Sequence, residues 1–231
     1  MSLPSGPLAS AAGFVLAGGQ SSRMGTDKAL LSFAGQPLIA RALEILQGAE
    51  LSPSIAGAQA QLAGFAPVIQ DPELVFQDPE TVRGLGPLAG ICAALDSTAA
   101  EYAVFLPVDL PLLPSSLVSC LLSHARITGA IVTVPSVNGF AQTFPVVIHR
   151  AALPELRSRL RSLERGCYAA FKAAAGISSQ PFSILSVELL VQARQIDHPT
   201  GLPPALWFAN VNSPADLARA ESFLSRHLRV I

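Results

Sequence analysis

Between Phe14 and Leu31 the chain reads FVLAGGQSSRMGTDKALL. Gly18 and Gly19 follow directly on an apolar run, and Arg23, Gly25 and Lys28 come within the next nine positions. Backbone N–H groups at glycine approach a phosphate with no Cβ in the way. Arginine adds a planar fork of donors and lysine a compact point charge. These residue types, so closely spaced, predict a binding loop for an anion of the phosphate type. The Gly19 to Gly25 spacing is too long for a Walker loop, no Gly-Lys pair follows, and the G-x-G-x-x-G dinucleotide pattern is absent. The plainer alternative is a glycine turn with solvated charges.

Asp109 is the other conspicuous group. It follows the apolar run Tyr102–Leu106, with Pro107 and Pro111 on either side. A lone carboxylate beside a buried strand is costly unless it is paired or bound to metal. It lies too far before the next helical pattern, which opens at Ser115, to serve as its cap. Gly84, Gly86 and Gly90 bracket another helix start and fit either a close backbone approach to a ligand or plain packing. Asn210 and Asn212 alternate on an extended segment and so share a face. Contact with a phosphate and turn or capping chemistry are both open to them. The histidines 124, 149, 198 and 227 are scattered and are expected at the surface or at helix ends. Cys92, Cys120 and Cys167 have no metal-ligand spacing and lie among apolar residues, where buried thiols are expected.

These groups must be carried by alternating elements. Ala12–Leu16, Val68–Ile69, Tyr102–Leu106, Ala130–Val134 and Phe144–Ile148 read as strands. Several are continuous apolar runs, as in strands covered on both faces. Pro37–Gln47, Pro87–Leu95, Ser115–Ala125 and Ala151–Leu163 read as helices. A last helix follows Ser213 as cap, with Pro214 in its first turn and Asp216 as a capping-box acid. Its residues Leu217, Ala220, Phe223 and Leu224 share one face. The alternation predicts an α/β fold with a mostly parallel sheet between two helix layers. Ligands of such sheets bind at the carboxyl ends of strands. The loops after the first and fourth strand candidates are therefore expected to hold the chemistry. Residues 180–206, rich in proline and weakly periodic, read as an irregular excursion from the sheet, and residues 1–231 as one domain.

Bulk properties narrow the functional classes. The net charge is -1, which provides no footprint for nucleic acid or an anionic membrane. Half of the 231 residues are apolar and only 13% are charged. From Ile127 to His149 there is no Lys, Arg, Asp or Glu, yet Pro135, Asn138, Gly139 and Pro145 divide the stretch. Two buried strands fit it better than a membrane span of about 20 apolar residues. The N-terminal MSLPSGPLASAAG lacks a basic region before its apolar run, so a signal peptide is not expected. A soluble, cytoplasmic protein is expected.

LAGGQSSRMGTDKALL, from Leu16, followed by GQPLIARAL, resembles the signature of the molybdenum cofactor guanylyltransferase family. VIQD, GLGPLAGICAAL, FLPVDLPLLP and FANVNSPADL are similar to further family motifs and occur in the family's order, with Val108 in place of a cysteine. The resemblance implies a Rossmann-like three-layer α/β/α sandwich of the nucleotidyltransferase, glycosyltransferase-A-like type. It implies transfer of GMP from GTP to the phosphate of molybdopterin, with release of pyrophosphate and with Mg²⁺ as cofactor. Arg23, Lys28 and Asp109 would be catalytic, with Asp109 the metal ligand. Leu16, Ala17, Gly18, Gly19, Ser22, Gly25 and Lys28 would line the nucleotide loop, joined by Gly86 and Gly90. Asp71 would accept hydrogen bonds from the N1–H and N2–H₂ edge of guanine; a turn aspartate before Pro72 is its other reading. Gln142, Asn210 and Asn212 would face the acceptor. Contacts with a molybdoenzyme or a cofactor-delivery protein are also implied.

Two departures concern the substrates. The chain has no Asn near Gly57, and it reads AQTFPVV from Ala141 where the family often shows His-Pro or Gln-Pro-Leu. A CTP-dependent molybdopterin cytidylyltransferase, or a transferase for another small phosphate, is the nearest alternative. A nucleotide-binding adaptor that delivers cofactor without catalysis is the non-enzymatic one.

Overall fold

The structure, a computed structural model, describes residues 9–17, 28–56, 64–66, 68–69, 86–162 and 166–227. Among them, eight strands form one sheet. Strand β1 is Ala11–Leu16, and a small separate hairpin pairs β2 (Ser32–Phe33) with β3 (Gln36–Pro37). Then come β4 (Pro53–Ala56), β5 (Val68–Ile69), β6 (Tyr102–Pro107) and β7 (Val132–Val137). The last are β8 (Phe140–Ala141), β9 (Val146–His149) and β10 (Phe182–Ser186). The order across the sheet is β10-β7-β9-β6-β1-β4-β5, with β8 folded back on β7. β1 lies parallel to β4 and β6, β4 to β5, and β7 to β10; β9 runs antiparallel to β6 and β7. Asn138 and Gly139, both at positive φ, make the two-residue turn that breaks the uncharged stretch into β7 and β8.

The period of two along each central strand sends alternate side chains to opposite helix layers. Val15, Tyr102, Val104 and Leu106 enter a core covered by α1 (Leu38–Gln47), α2 (Ser115–Thr128) and α3 (Pro214–His227). Phe14, Leu16, Ala103 and Phe105 enter the other core. That one is closed by α4 (Pro87–Ser97), α5 (Leu153–Arg161) and α6 (Cys167–Ile177). Full cover on both faces explains why these strands read as unbroken apolar runs. The final helix lays Ala220 into the first core, with Leu217, Phe223 and Leu224 packed beside it.

Three expectations are corrected. The 180–206 stretch is not simply an excursion: Phe182–Ser186 is an edge strand parallel to β7, and α7 (Val187–Gln192) and α8 (Pro204–Trp207) follow. Asp109 follows β6, the third strand candidate, so the loop after that strand joins those expected to hold the chemistry. His198 is neither a surface nor a capping residue; it is 7% exposed. β4, which opens on Pro53, the β2–β3 hairpin and α6 are further elements that the sequence pattern does not show. The thiols of Cys92 and Cys167 are buried, as expected, and burial pushes Cys167 up to about 11. Cys120 is half-buried.

Thr133 in β7 is fully buried, and its hydroxyl finds no hydrogen-bond partner among the described residues. Its strand neighbour Val147 is part of an apolar core. Burying an unsatisfied hydroxyl costs about 1–3 kcal/mol. Thr133→Val should therefore raise stability by about 1 kcal/mol. A urea-denaturation midpoint that stays put or falls would contradict this.

Candidate active site

The sheet delivers its chemistry to one edge. β1, β4, β6 and β7 all end there, because they run parallel or, for β6 and β7, share the intervening β9 as an antiparallel neighbour. Leu16 ends β1, and its carbonyl accepts from Val108 N–H at 3.3 Å. The Ala17 N–H donates to the carbonyl of Ala56 at 3.1 Å and carries the β1–β4 ladder one step further. The described chain resumes at Lys28, which opens a 3₁₀ turn over Lys28–Leu30. Ala29 and Phe33 behind it are buried, and this anchors the lysine backbone.

Lys28 joins three remote segments. Its Nζ donates to Asp109 Oδ2 at 3.0 Å and to Asn212 Oδ1 at 2.6 Å. The Lys28 and Asp109 side chains are 17% and 25% exposed, so the pair is half-buried but open to a ligand. The aspartate loop is also tied to the last segment through the main chain, where Val211 N–H donates to the Asp109 carbonyl at 3.0 Å. Val211 is fully buried, which leaves Asn210 and Asn212 on the exposed side of the same short stretch. Asn212 is then fixed by the start of the last helix. Its N–H donates to Asp216 Oδ2 at 3.1 Å, and the Ser213 hydroxyl donates to the same oxygen at 2.8 Å. The Asp216 N–H returns a bond to Ser213 Oγ at 3.2 Å and completes the expected capping box.

These bonds, with the Ser213 hydroxyl foremost and Asn212 N–H next, hold the Asp216 carboxyl below the usual aspartate range. A depressed folded value means the cap stabilises above the unfolded value and is lost as pH falls through the folded one. We expect the Asp216 carboxyl carbon to titrate below normal in an NMR pH series. The Asn212 amide shift should follow the same curve; a normal Asp216 titration would contradict the cap.

Gly86, at φ 66° and ψ -161°, turns the chain into Pro87 at the start of α4. That backbone region is nearly exclusive to glycine and costs other residues about 1–3 kcal/mol. Gly90 is different. A Cβ there would stand 3.7 Å from both Ala56 Cβ and Leu16 Cδ2, which is ordinary contact, so the described residues would admit a side chain at this position. Gly86→Ala is expected to lower thermal stability, and Gly90→Ala to leave it near wild type; equal melting points for the two variants would sink this distinction.

Gln142 is not brought to Lys28. It follows β8, and its side-chain amide donates to the Phe140 carbonyl at 3.1 Å within its own hairpin. Its N–H donates to the Pro135 carbonyl at 2.8 Å. The hairpin lies at the same sheet edge as Asp109, with β9 between. Gly18, Gly19, Ser22, Arg23, Gly25 and Asp71 lie outside the described residues.

Among the described residues, no three His, Cys, Asp or Glu side chains gather as a cage for a metal. A single carboxylate suits Mg²⁺ that takes its other ligands from phosphate oxygens and water. Asp109 fits that donor set.

The MobA-like NTP transferase domain matches residues 13–178 of this chain. The chain belongs to the molybdenum cofactor guanylyltransferase family. It is 33% identical over 226 residues to the molybdenum cofactor guanylyltransferase of Rhodobacter capsulatus, covering 94% of this chain and 97% of that protein. It is 31% identical over 212 residues to the probable molybdenum cofactor guanylyltransferase of Haloferax mediterranei, covering 91% and 93%. The structure of molybdopterin-guanine dinucleotide biosynthesis protein A from Archaeoglobus fulgidus aligns with a TM-score of 0.71 at 21% identity. That alignment covers 93% of this chain and 99% of the other, and it shows a shared fold. The MobA-like match contains Lys28 and Asp109 but ends before Asn212. The lysine therefore links the matched region to a segment beyond it.

Proposed function

We propose that this protein transfers GMP from GTP to the phosphate of molybdopterin and releases pyrophosphate. The observation that carries the reading is Lys28, which holds Asp109 and Asn212 together at the carboxyl edge of the sheet. The family's guanylyltransferases supply the choice of GTP and molybdopterin. An oxygen of the molybdopterin phosphate forms a bond to the α-phosphorus, and the bond from that phosphorus to the β-bridging oxygen breaks. A phosphate is already ionised near neutrality, so no dedicated base is required. Positioning and charge neutralisation then carry the rate.

In this reading the nucleotide phosphates lie over Leu16, Ala17 and the following glycine–arginine stretch. Lys28 leaves its resting contacts for the phosphates and neutralises charge that develops on the leaving group. Asp109 would hold Mg²⁺, which when bound withdraws charge from the phosphate oxygens. Asn212, and Asn210 on the same exposed side, face the acceptor phosphate. Residues 1–231 act as one nucleotidyltransferase domain, a reading supported by both helix layers sharing one sheet. Among the described residues no helix is long and apolar enough to cross a membrane. The proposal places the reaction in the cytoplasm.

Pyrophosphate release, measured with each nucleoside triphosphate with and without molybdopterin, tests this directly. Release with GTP and molybdopterin together is expected. Release with CTP alone among the triphosphates would select the cytidylyltransferase, and nucleotide binding without release would select the adaptor.

A further inference from the structure

His198 stands in the irregular stretch between α7 and α8, far from the phosphate motifs in sequence, yet it is buried. Its Nδ1 accepts from the Thr200 N–H at 3.2 Å, and the Thr200 hydroxyl lies 3.0 Å from the same nitrogen. Its Nε2 stands 3.0 Å from the carbonyl of Leu112. A backbone amide only donates and a carbonyl only accepts. Nδ1 must therefore present its lone pair, and the proton must be on Nε2. The Trp207 ring packs at a centroid distance of 5.9 Å, and its Nε1 donates to the Leu202 carbonyl at 2.7 Å, which fixes the wall behind the imidazole.

Leu112 is three residues beyond Asp109, on the loop between β6 and α2. That loop is braced at successive points: Arg41 Nε donates to the Pro111 carbonyl at 3.1 Å, and Val211 N–H to the Asp109 carbonyl. Just beyond it, the Ser116 hydroxyl donates to the Asp197 carbonyl at 2.8 Å and ties the histidine segment to the start of α2. Leu112 and Leu113 are fully buried, so a carbonyl there depends on a protein donor.

We propose that His198 is a positioning residue for the Asp109 loop: the N–H on its Nε2 holds Leu112 and thereby sets where the Asp109 carboxylate stands. The inference rests on the reading of Asp109 as metal-binding for its catalytic consequence, but not for its structural part. A misplacement of about 1 Å at a reacting centre can cost about 10²-fold in rate.

Two variants separate the nitrogens. In His198→Gln the side-chain amide reaches the Nε2 position and can still donate to Leu112. In His198→Asn the amide oxygen replaces Nδ1 toward Thr200, and the donor to Leu112 is lost. The asparagine variant is expected to lose about 10- to 100-fold in kcat with little change in KM for GTP. The glutamine variant should recover most of that loss. Amide NMR shifts of residues 109–113 in the metal-free protein should move in the asparagine variant and stay near wild type in the glutamine one. This readout holds whatever the substrates prove to be. Equal kcat and equal loop shifts in the two variants would overturn the proposal. If either fails to fold, imidazole ¹⁵N shifts of the wild-type protein decide: a protonated Nε2 supports the inference and a protonated Nδ1 overturns it.

Discussion

Lys28→Ala is expected to slow pyrophosphate release by about 10²–10³-fold while the protein still folds. The ammonium faces Asp109 Oδ2 at 3.0 Å and Asn212 Oδ1 at 2.6 Å, and no backbone bond of the sheet depends on it. A partly exposed pair of this kind contributes about 1 kcal/mol or less to stability. The sheet cores and the Val211–Asp109 main-chain bond remain in the variant. What the variant loses is the only cation of the described residues bonded to both Asp109 and Asn212. Lys28→Arg should recover little, because a planar fork cannot reproduce a compact charge shared between two acceptors. Steady-state kinetics beside a thermal melt test the claim; turnover near wild type with either substitution would refute it.

Asp109→Ala is expected to cost a similar factor, about 10²–10³ in kcat. Asp109→Asn is the sharper probe. It keeps an oxygen to accept from Lys28 and keeps the shape of the loop, but it removes the negative charge a metal ion requires. The loop itself should hold, since it is bound through main-chain atoms, Leu16 to Val108 and Asp109 to Val211. If scaffolding were its only duty, Asp109→Asn would work nearly as well as wild type. We expect it to resemble the alanine variant. Divalent-ion binding to the GTP complex, followed by manganese EPR, should weaken in both.

The parts that were legible in the sequence are those whose cause is local. The β1 run ending at Leu16, the β6 run before Asp109 and the Ser213–Asp216 cap each carry their signal within a few residues. β10 does not: Phe182–Ser186 follows Pro181 and becomes a strand only by pairing with β7, some fifty positions earlier. β4 opens on a proline and spans four residues, too few to show a period. Among the site residues, Lys28 and Asp109 stood out by charge in a charge-poor chain. Alternation puts Asn210 and Asn212 on one face and does not tell them apart. The capping box settles which of them reaches Lys28, by fixing the Asn212 backbone. His198 left no trace, since a lone histidine among prolines looks solvated. Its burial comes from Leu112 and Trp207, which meet it only in three dimensions.

The reversed strand β9 has one more implication. It separates the sheet edge into two precincts: β1, β4 and β6 on one side, and β7, β8 and β10 on the other. Under the proposed reading the phosphates of both substrates belong to the first, and the second is left free to meet the rest of the acceptor molecule. Descendants of such an enzyme can lengthen or redecorate the Asn138–Gly139 tip and so acquire new acceptors without disturbing the machinery that handles the triphosphate.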